Sequence, residues 1–364
     1  MRLVRLIVYF LVCGLLVLST STLVFAEESI WGGFLPIDEF YTMLDPDGNV
    51  LLQTGRELYV EDQYLTSDNS LYEVVEINEE DRIARTKLVE KVELEIFPIN
   101  SLRKELGLTV IEAAEDSGRG KIALYHTHNA ESYVPTDGTD SIYGKGGIHQ
   151  VGKVFAESLS DLGITVDYSE ELHLPHDRGA YRRSRETVLE LLAKSPDAIF
   201  DLHRDAAPKS AYAIQLQDEW MTQVHFVVGR QNQNLGVNRK YAQSLKAVAD
   251  DMYPGLVKGI FYGRGNYNQD LSPLSLLLEA GAHTNSRSAA ERGIRLFAEV
   301  VNHYFYGPAA EAAGHEQGGV ASRSILGVLG FTASLSIAIY VINVGGFKPA
   351  WERTKALLRR RRLK

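Results

Sequence analysis

Residues 121–131 read KIALYHTHNAE. KIALY is a short apolar run of strand character. Two imidazoles, an amide and a carboxylate then follow between His126 and Glu131. A polar loop is one reading. The other is a strand end that holds a metal, because in an open α/β sheet ligand-binding groups collect at the carboxyl ends of strands.

The chain on either side favours the second reading. HQVGKVFAESLSDLG (149–163) has Val151, Val154, Phe155 and Leu159 on one helical face and ends on Gly163. ITVDYS (164–169) is a short strand and RRSRETVLELLAKS (182–195) an amphipathic helix. DAIFDLH (197–203), VHFVVG (224–229), LVKGIFYG (256–263) and LSLLLEAG (274–281) are further strands. Residues 234–253 and 286–305 are helical in pattern. Such alternation predicts an α/β fold over 119–306, a mostly parallel sheet flanked by helices. Before it, MLDPDGNVLLQTG carries an Asp47-Gly48-Asn49 turn between apolar arms, and short strands continue to about Val92. This predicts a small β domain over 37–100, without a histidine and without an evident ligand set.

The ends read differently. Leu6–Phe25 is an apolar run behind Arg2 and Arg5, so 1–26 is a signal peptide or an N-terminal membrane anchor. Residues 307–324 are rich in Gly and Ala and read as a flexible stalk. Ile325–Phe347 has no charge and reads as a transmembrane helix, and the basic tail 348–364 marks its cytoplasmic side. The expectation is an extracytoplasmic catalytic domain at the cell membrane, flanked by transmembrane segments. The net charge is −9, and setting the basic ends aside leaves the body near −18, which repels phosphate backbones and excludes nucleic acid as a partner. Cys13 is the sole cysteine, which excludes internal disulfides and cysteine zinc clusters.

Three polar clusters fall at strand ends: His126 to Glu131, Asp201 to Asp205, and Glu279. Hydrolytic zinc wants three protein ligands, often two His and one Glu, with one position open. His128 and Glu131 are three apart and His203 completes a set. Glu279 is then the general base toward the attacking water, and Arg204 steadies a developing oxyanion or a substrate carboxylate. Asp201 accepts the spare ring proton of a ligand histidine. His126 is a neighbour of the ligands or an alternative ligand, and His149 stands in reserve. His173, His176 and His283 read as loop residues, His283 near enough to Glu279 to touch substrate, and His225 as packed in a strand.

YHTHNAESY, FDLHRDA and LLLEAGAHTNS, in that order, resemble the stage II sporulation protein P family, over roughly Tyr41 to Tyr306. The resemblance implies a zinc-dependent peptidoglycan hydrolase of amidase-like, phosphorylase-hydrolase-like fold. It implies cleavage of the muramoyl-L-alanine amide, with a possible endopeptidase activity on crosslinks, during engulfment in endospore formation. It implies a lytic transglycosylase partner, stage II sporulation protein D, and a membrane scaffold. The functional histidines would lie in YHTH and DLHRD and the acid in LLLE; whether His126 or His128 binds metal stays open, and His128 is preferred because it alone pairs with Glu131 as HxxE. The related amidases take their ligand Glu from the following helix, which here opens Ile148-His149-Gln150 and has no early Glu. Two other readings share the residues: a non-catalytic wall-binding scaffold and a zinc carboxypeptidase.

Overall fold

The structure, a computed structural model, describes residues 33–111 and 120–307. Its centre is one eleven-stranded sheet in the order β2-β1-β5-β4-β3-β12-β11-β13-β8-β6-β7. The strands are β1 (Tyr41–Leu44), β2 (Val50–Thr54), β3 (Gln63–Leu65), β4 (Ser70–Asn78), β5 (Ile83–Lys91), β6 (Lys121–Tyr125), β7 (Thr165–Tyr168), β8 (Ala198–Asp205), β11 (Val224–Gly229), β12 (Val257–Gly263) and β13 (Ser275–Ala282). A hairpin of β9 (Ala213–Leu216) and β10 (Glu219–Thr222) stands apart. The longer helices are α1 (Ile99–Glu105), α2 (Ile148–Asp161), α3 (Ala180–Leu192), α4 (Leu235–Met252) and α5 (Arg287–Tyr306).

Every strand and helix expected between 121 and 306 is present. Two parts of the expected fold class are corrected. The sheet is mixed rather than mostly parallel: β7, β6, β8 and β13 run parallel, β11 is antiparallel to β13, and β3, β4 and β5 add antiparallel pairs. The N-terminal strands join the same sheet because β3 pairs with β12, Tyr64 facing Phe261. The flanking transmembrane segments are the second correction. Among the described residues no helix is long and apolar enough to cross a membrane. The runs 6–25 and 325–347, on which that expectation rested, lie outside the described residues, as do 308–324 and the basic tail.

Strand alternation explains how one sheet serves both core and site. On β8, Ala198, Phe200 and Leu202 join the main core, and on β13 Leu276, Leu278 and Ala280 do the same. That face is covered by α2, α4 and α5, whose Phe155, Leu245 and Phe297 are fully buried. Each such side chain contributes about 1.5–3 kcal/mol by leaving water. The period of two sends Asp201, His203 and Asp205 to the opposite face. His203 is level with Glu279, and Glu279 with His225, so one row of polar side chains crosses β8, β13 and β11. Pairing breaks just past Glu279, where a bulge contains Gly281 at φ +74°. A Cβ there would meet Thr222 Cγ2 at 2.6 Å, so both the turn and the space require glycine.

Candidate metal centre

The chain leaves β6 in a tight turn that carries His128 and Glu131 inward. Glu131 N closes on His128 O at 3.4 Å, and an isolated bridge pairs Glu131 with Ser141. Glu131 Oε1 is the hub of the cluster. It lies 3.3 Å from His128 Nδ1, 3.3 Å from His203 Nδ1 and 3.7 Å from His176 Nε2. The ligand atoms of His128, Glu131 and His176 all fall within 4.8 Å of one another, a candidate metal group among the described residues. Glu131 Oε2 is occupied differently: it accepts from Arg204 N at 2.9 Å.

The second nitrogen of each strand-end histidine faces an acceptor. His128 Nε2 is 3.3 Å from Asp177 O, and His203 Nε2 is 2.9 Å from Asp201 Oδ1. Such outer partners orient a ligand imidazole and raise its basicity. Asp201 is itself fixed by Thr127, accepting from its N at 2.8 Å and its Oγ1 at 2.6 Å. His128 Nδ1 is buried with no hydrogen-bond partner. An unpartnered, buried nitrogen beside a carboxylate oxygen fits a cation between them, so the residues present suit zinc.

Burial and these neighbours set the electrostatics. Burial pushes the His128 imidazole down, with Glu131 opposing. His203 is also desolvated, yet Asp201 and Glu131 raise it to about 10. Glu131 is penalised by burial but held well below the usual carboxylate range by His203, His128 and Arg204. Burial pushes Glu279 up to about 7, against the pull of Arg56. A base poised near neutral pH suits proton transfer.

The cluster opens into a cavity of about 520 Å³ lined by His128, Glu131, His176, Arg204 and Glu279, with Phe34 to Ile37 and Gly55 on another wall. The other expected residues surround it or turn away from it. The Arg204 guanidinium donates to Ser132 O at 3.3 Å and Asp140 O at 3.0 Å, so it braces the cavity wall. His126 points away from Glu131. Its Nδ1 is 2.7 Å from Leu202 O, its Nε2 is 2.8 Å from Tyr168 OH, and burial lowers it to about 4. His149 packs against it with ring centroids 4.6 Å apart and contacts Asn129 and Tyr168. His225 is packed opposite Glu279 as expected, and His283 Nε2 reaches Asp38 at 3.2 Å.

Two participants are not evident from sequence pattern. His176 reads as a loop residue, and its side chain remains 29% exposed. A signal exists: LHLPHD follows β7, whose carboxyl end lies beside that of β6. Arg56, from the turn after β2, pairs with Glu279 in a fully buried contact. Nothing in TGRELYV announces it, because that stretch holds neither a metal ligand set nor a nucleophile.

A model of the family described as stage II sporulation protein P matches residues 53–302. The chain belongs to the stage II sporulation protein P family. It is 32% identical over 204 residues to the stage II sporulation protein P of Bacillus subtilis (strain 168), covering 51% of each chain. The match therefore spans about half the length of that curated relative. Among solved structures, it is similar to the N-acetylmuramyl-L-alanine amidase Ami1 of Mycobacterium smegmatis, at 15% identity and TM-score 0.34, over 56% of this chain and 100% of that one. It is also similar to the CwlD amidase of Clostridioides difficile, solved with the GerS lipoprotein, at 16% identity and TM-score 0.33, over 51% and 98%. Likeness at that level fixes neither fold nor activity for this chain.

Proposed function

We propose that this chain is a zinc-dependent peptidoglycan hydrolase that cuts the amide between N-acetylmuramic acid and L-alanine during endospore formation. The supporting observation is the convergence of His128, His203 and His176 on Glu131 Oε1, beside a cavity that His128, Glu131, His176 and Glu279 line. His128, Glu131 and His203 hold the ion, and His176, packed against His128 and 3.7 Å from Glu131 Oε1, is a further candidate ligand. Bound zinc supplies a Lewis acid for the scissile carbonyl and the attacking water.

The chain's own groups do the rest. Glu279 Oε2 has no hydrogen-bond partner, so it is free to take the proton of the water and return it to the leaving amine. Asp201 keeps the His203 ring oriented. Arg204 holds the 132–140 loop as a wall and fixes Glu131 through its backbone N–H. The wall substrate places this part of the chain outside the cytoplasmic membrane. Stage II sporulation protein D, a lytic transglycosylase, and a membrane scaffold are the partners we expect.

The test is a digest of purified sacculi with and without chelator, the fragments weighed by mass spectrometry. Freed stem peptides with new L-alanine amino termini are expected, and Glu279→Gln is expected to abolish them while the metal content stays at that of the parent chain. Release of single amino acids would indicate a carboxypeptidase instead, and binding to sacculi without release a scaffold.

A further inference from the structure

Arg56 comes from the N-terminal strands, 223 residues before Glu279, and is 2% exposed. Its Nε donates to Glu279 Oε1 at 3.1 Å, and its Nη2 donates to the same oxygen. The guanidinium carbon lies 4.9 Å from the ring centre of Phe34 and 5.2 Å from that of Tyr267. The turn that carries it is anchored to the end of β8: Gly55 N and Thr54 Oγ1 each donate to Asp205 Oδ1 at 3.0 Å. Gly55 is needed for this approach, since a Cβ would come within 2.5 Å of Ala206 Cβ.

We propose that Arg56 is a positioning residue for Glu279: two N–H groups grip Oε1 and leave Oε2, which has no hydrogen-bond partner among the described residues, as the oxygen that takes the proton. This rests on the reading of Glu279 as general base. The geometry argues against a purely structural pair. Arginine–carboxylate pairs frequently form two parallel N–H···O contacts, one per oxygen. Here Oε2 is left without a partner at a buried position, which costs free energy unless something else uses that oxygen. The grip pins one oxygen of the carboxylate, and the rings of Phe34 and Tyr267 on either side of the guanidinium hold the gripping group in place.

The test uses the full chain, with Arg56→Ala and Arg56→Lys assayed on purified sacculi. Arg56→Ala is expected to lower kcat by about 10²-fold with KM within about threefold, since the loss is of base alignment rather than of binding. Added guanidinium is expected to restore at least about tenfold of that loss in Arg56→Ala and nothing in Glu279→Gln. Arg56→Lys keeps the charge without the two-donor grip and should retain less than about a tenth of the parent kcat. Thermal unfolding of Arg56→Ala, Glu279→Gln and the double variant keeps the proposal falsifiable if the alanine chain is too unstable to assay: the double variant should lose less than the sum of the single losses. A kcat within about threefold of the parent in either Arg56 variant overturns the proposal, as do additive thermal losses or a loss of kcat that guanidinium does not rescue. A parent chain that releases nothing from sacculi instead overturns the hydrolase reading itself.

Discussion

Asp201→Asn tests the centre without touching a ligand. The carboxylate has three neighbours: Thr127 N at 2.8 Å, Thr127 Oγ1 at 2.6 Å and His203 Nε2 at 2.9 Å. An amide of the same shape keeps its oxygen on Thr127 N and His203. Its NH₂ then faces Thr127 Oγ1, which turns its own proton toward Ser184 Oγ, 3.0 Å away. The fold should therefore survive with a loss of about 1 kcal/mol. The negative charge behind His203 is gone, however, and with it the pull on the ring proton that makes Nδ1 a better donor to metal. Removal of such a partner typically weakens metal binding about 10–100-fold, or roughly 1.4–2.7 kcal/mol. The assay is zinc competition against a chromogenic chelator, with thermal unfolding as control. A dissociation constant within about twofold of the parent chain's would show that Asp201 does not tune a metal ligand, and His203 would lose its claim as one.

His126→Gln is expected to lower the melting temperature but keep the zinc content, because both ring nitrogens are already used by Leu202 O and Tyr168 OH; loss of zinc would make His126 a ligand after all. Lys258 is brought down to about 8 by burial, with Asp205 opposing, and its Nζ has no hydrogen-bond partner. Between about pH 8 and 10.5 the unfolded chain binds more protons at this site than the folded one, so this residue makes stability rise with pH. Lys258→Met should flatten that rise and add on the order of 2–3 kcal/mol at pH 7, read by urea unfolding at pH 7 and pH 10; equal effects at both would sink the assignment. Deleting everything before residue 119 removes β3 from β12 and bares Val227, Phe261 and Leu277, which pack with Tyr41, Leu52 and Tyr64. That fragment should aggregate, and a monodisperse, cooperatively melting fragment would contradict this.

The α/β half was legible because its signals are local. KIALY, DAIF and LSLLLE are apolar runs of strand length, and the helices between them keep a 3.6-residue period, so element type follows from pattern alone. The polar cluster was legible for the same reason: His128, His203 and Glu279 each stand on or just past a recognisable strand. Sheet direction was not. That β13 inserts between β8 and β11, and that the direction reverses between β13 and β11, depends on which strands meet, not on any one of them. The β9–β10 hairpin escapes pattern reading because AIQLQDEWMT is mixed in polarity and turns at Gln217-Asp218, where positive φ falls on residues other than glycine. His176 and Arg56 reach the site from a loop and from another part of the sheet, and sequence distance carries no trace of either approach.

The contribution of the N-terminal strands bears on how the site works as a unit. On this face of the sheet the buried acids are Asp201, Asp205 and Glu279, with Glu131 beside them, and burial disfavours the charge on Asp201, Glu131 and Glu279. The α/β half offers His203 and the backbone N–H of Arg204 to Glu131 and Asp201. Among the described residues the Glu279 carboxylate receives no hydrogen bond from its own half. Its cation comes from the turn after β2, and Asp205 in turn holds that turn through Thr54 and Gly55. Both contacts run the same way: the turn after β2 supplies the donors for two buried acids of the α/β half. One cavity wall, Phe34 to Ile37, has the same origin. The strands that pattern analysis would set aside as a separate module thus complete the pocket and hold the carboxylate on which the chemistry turns.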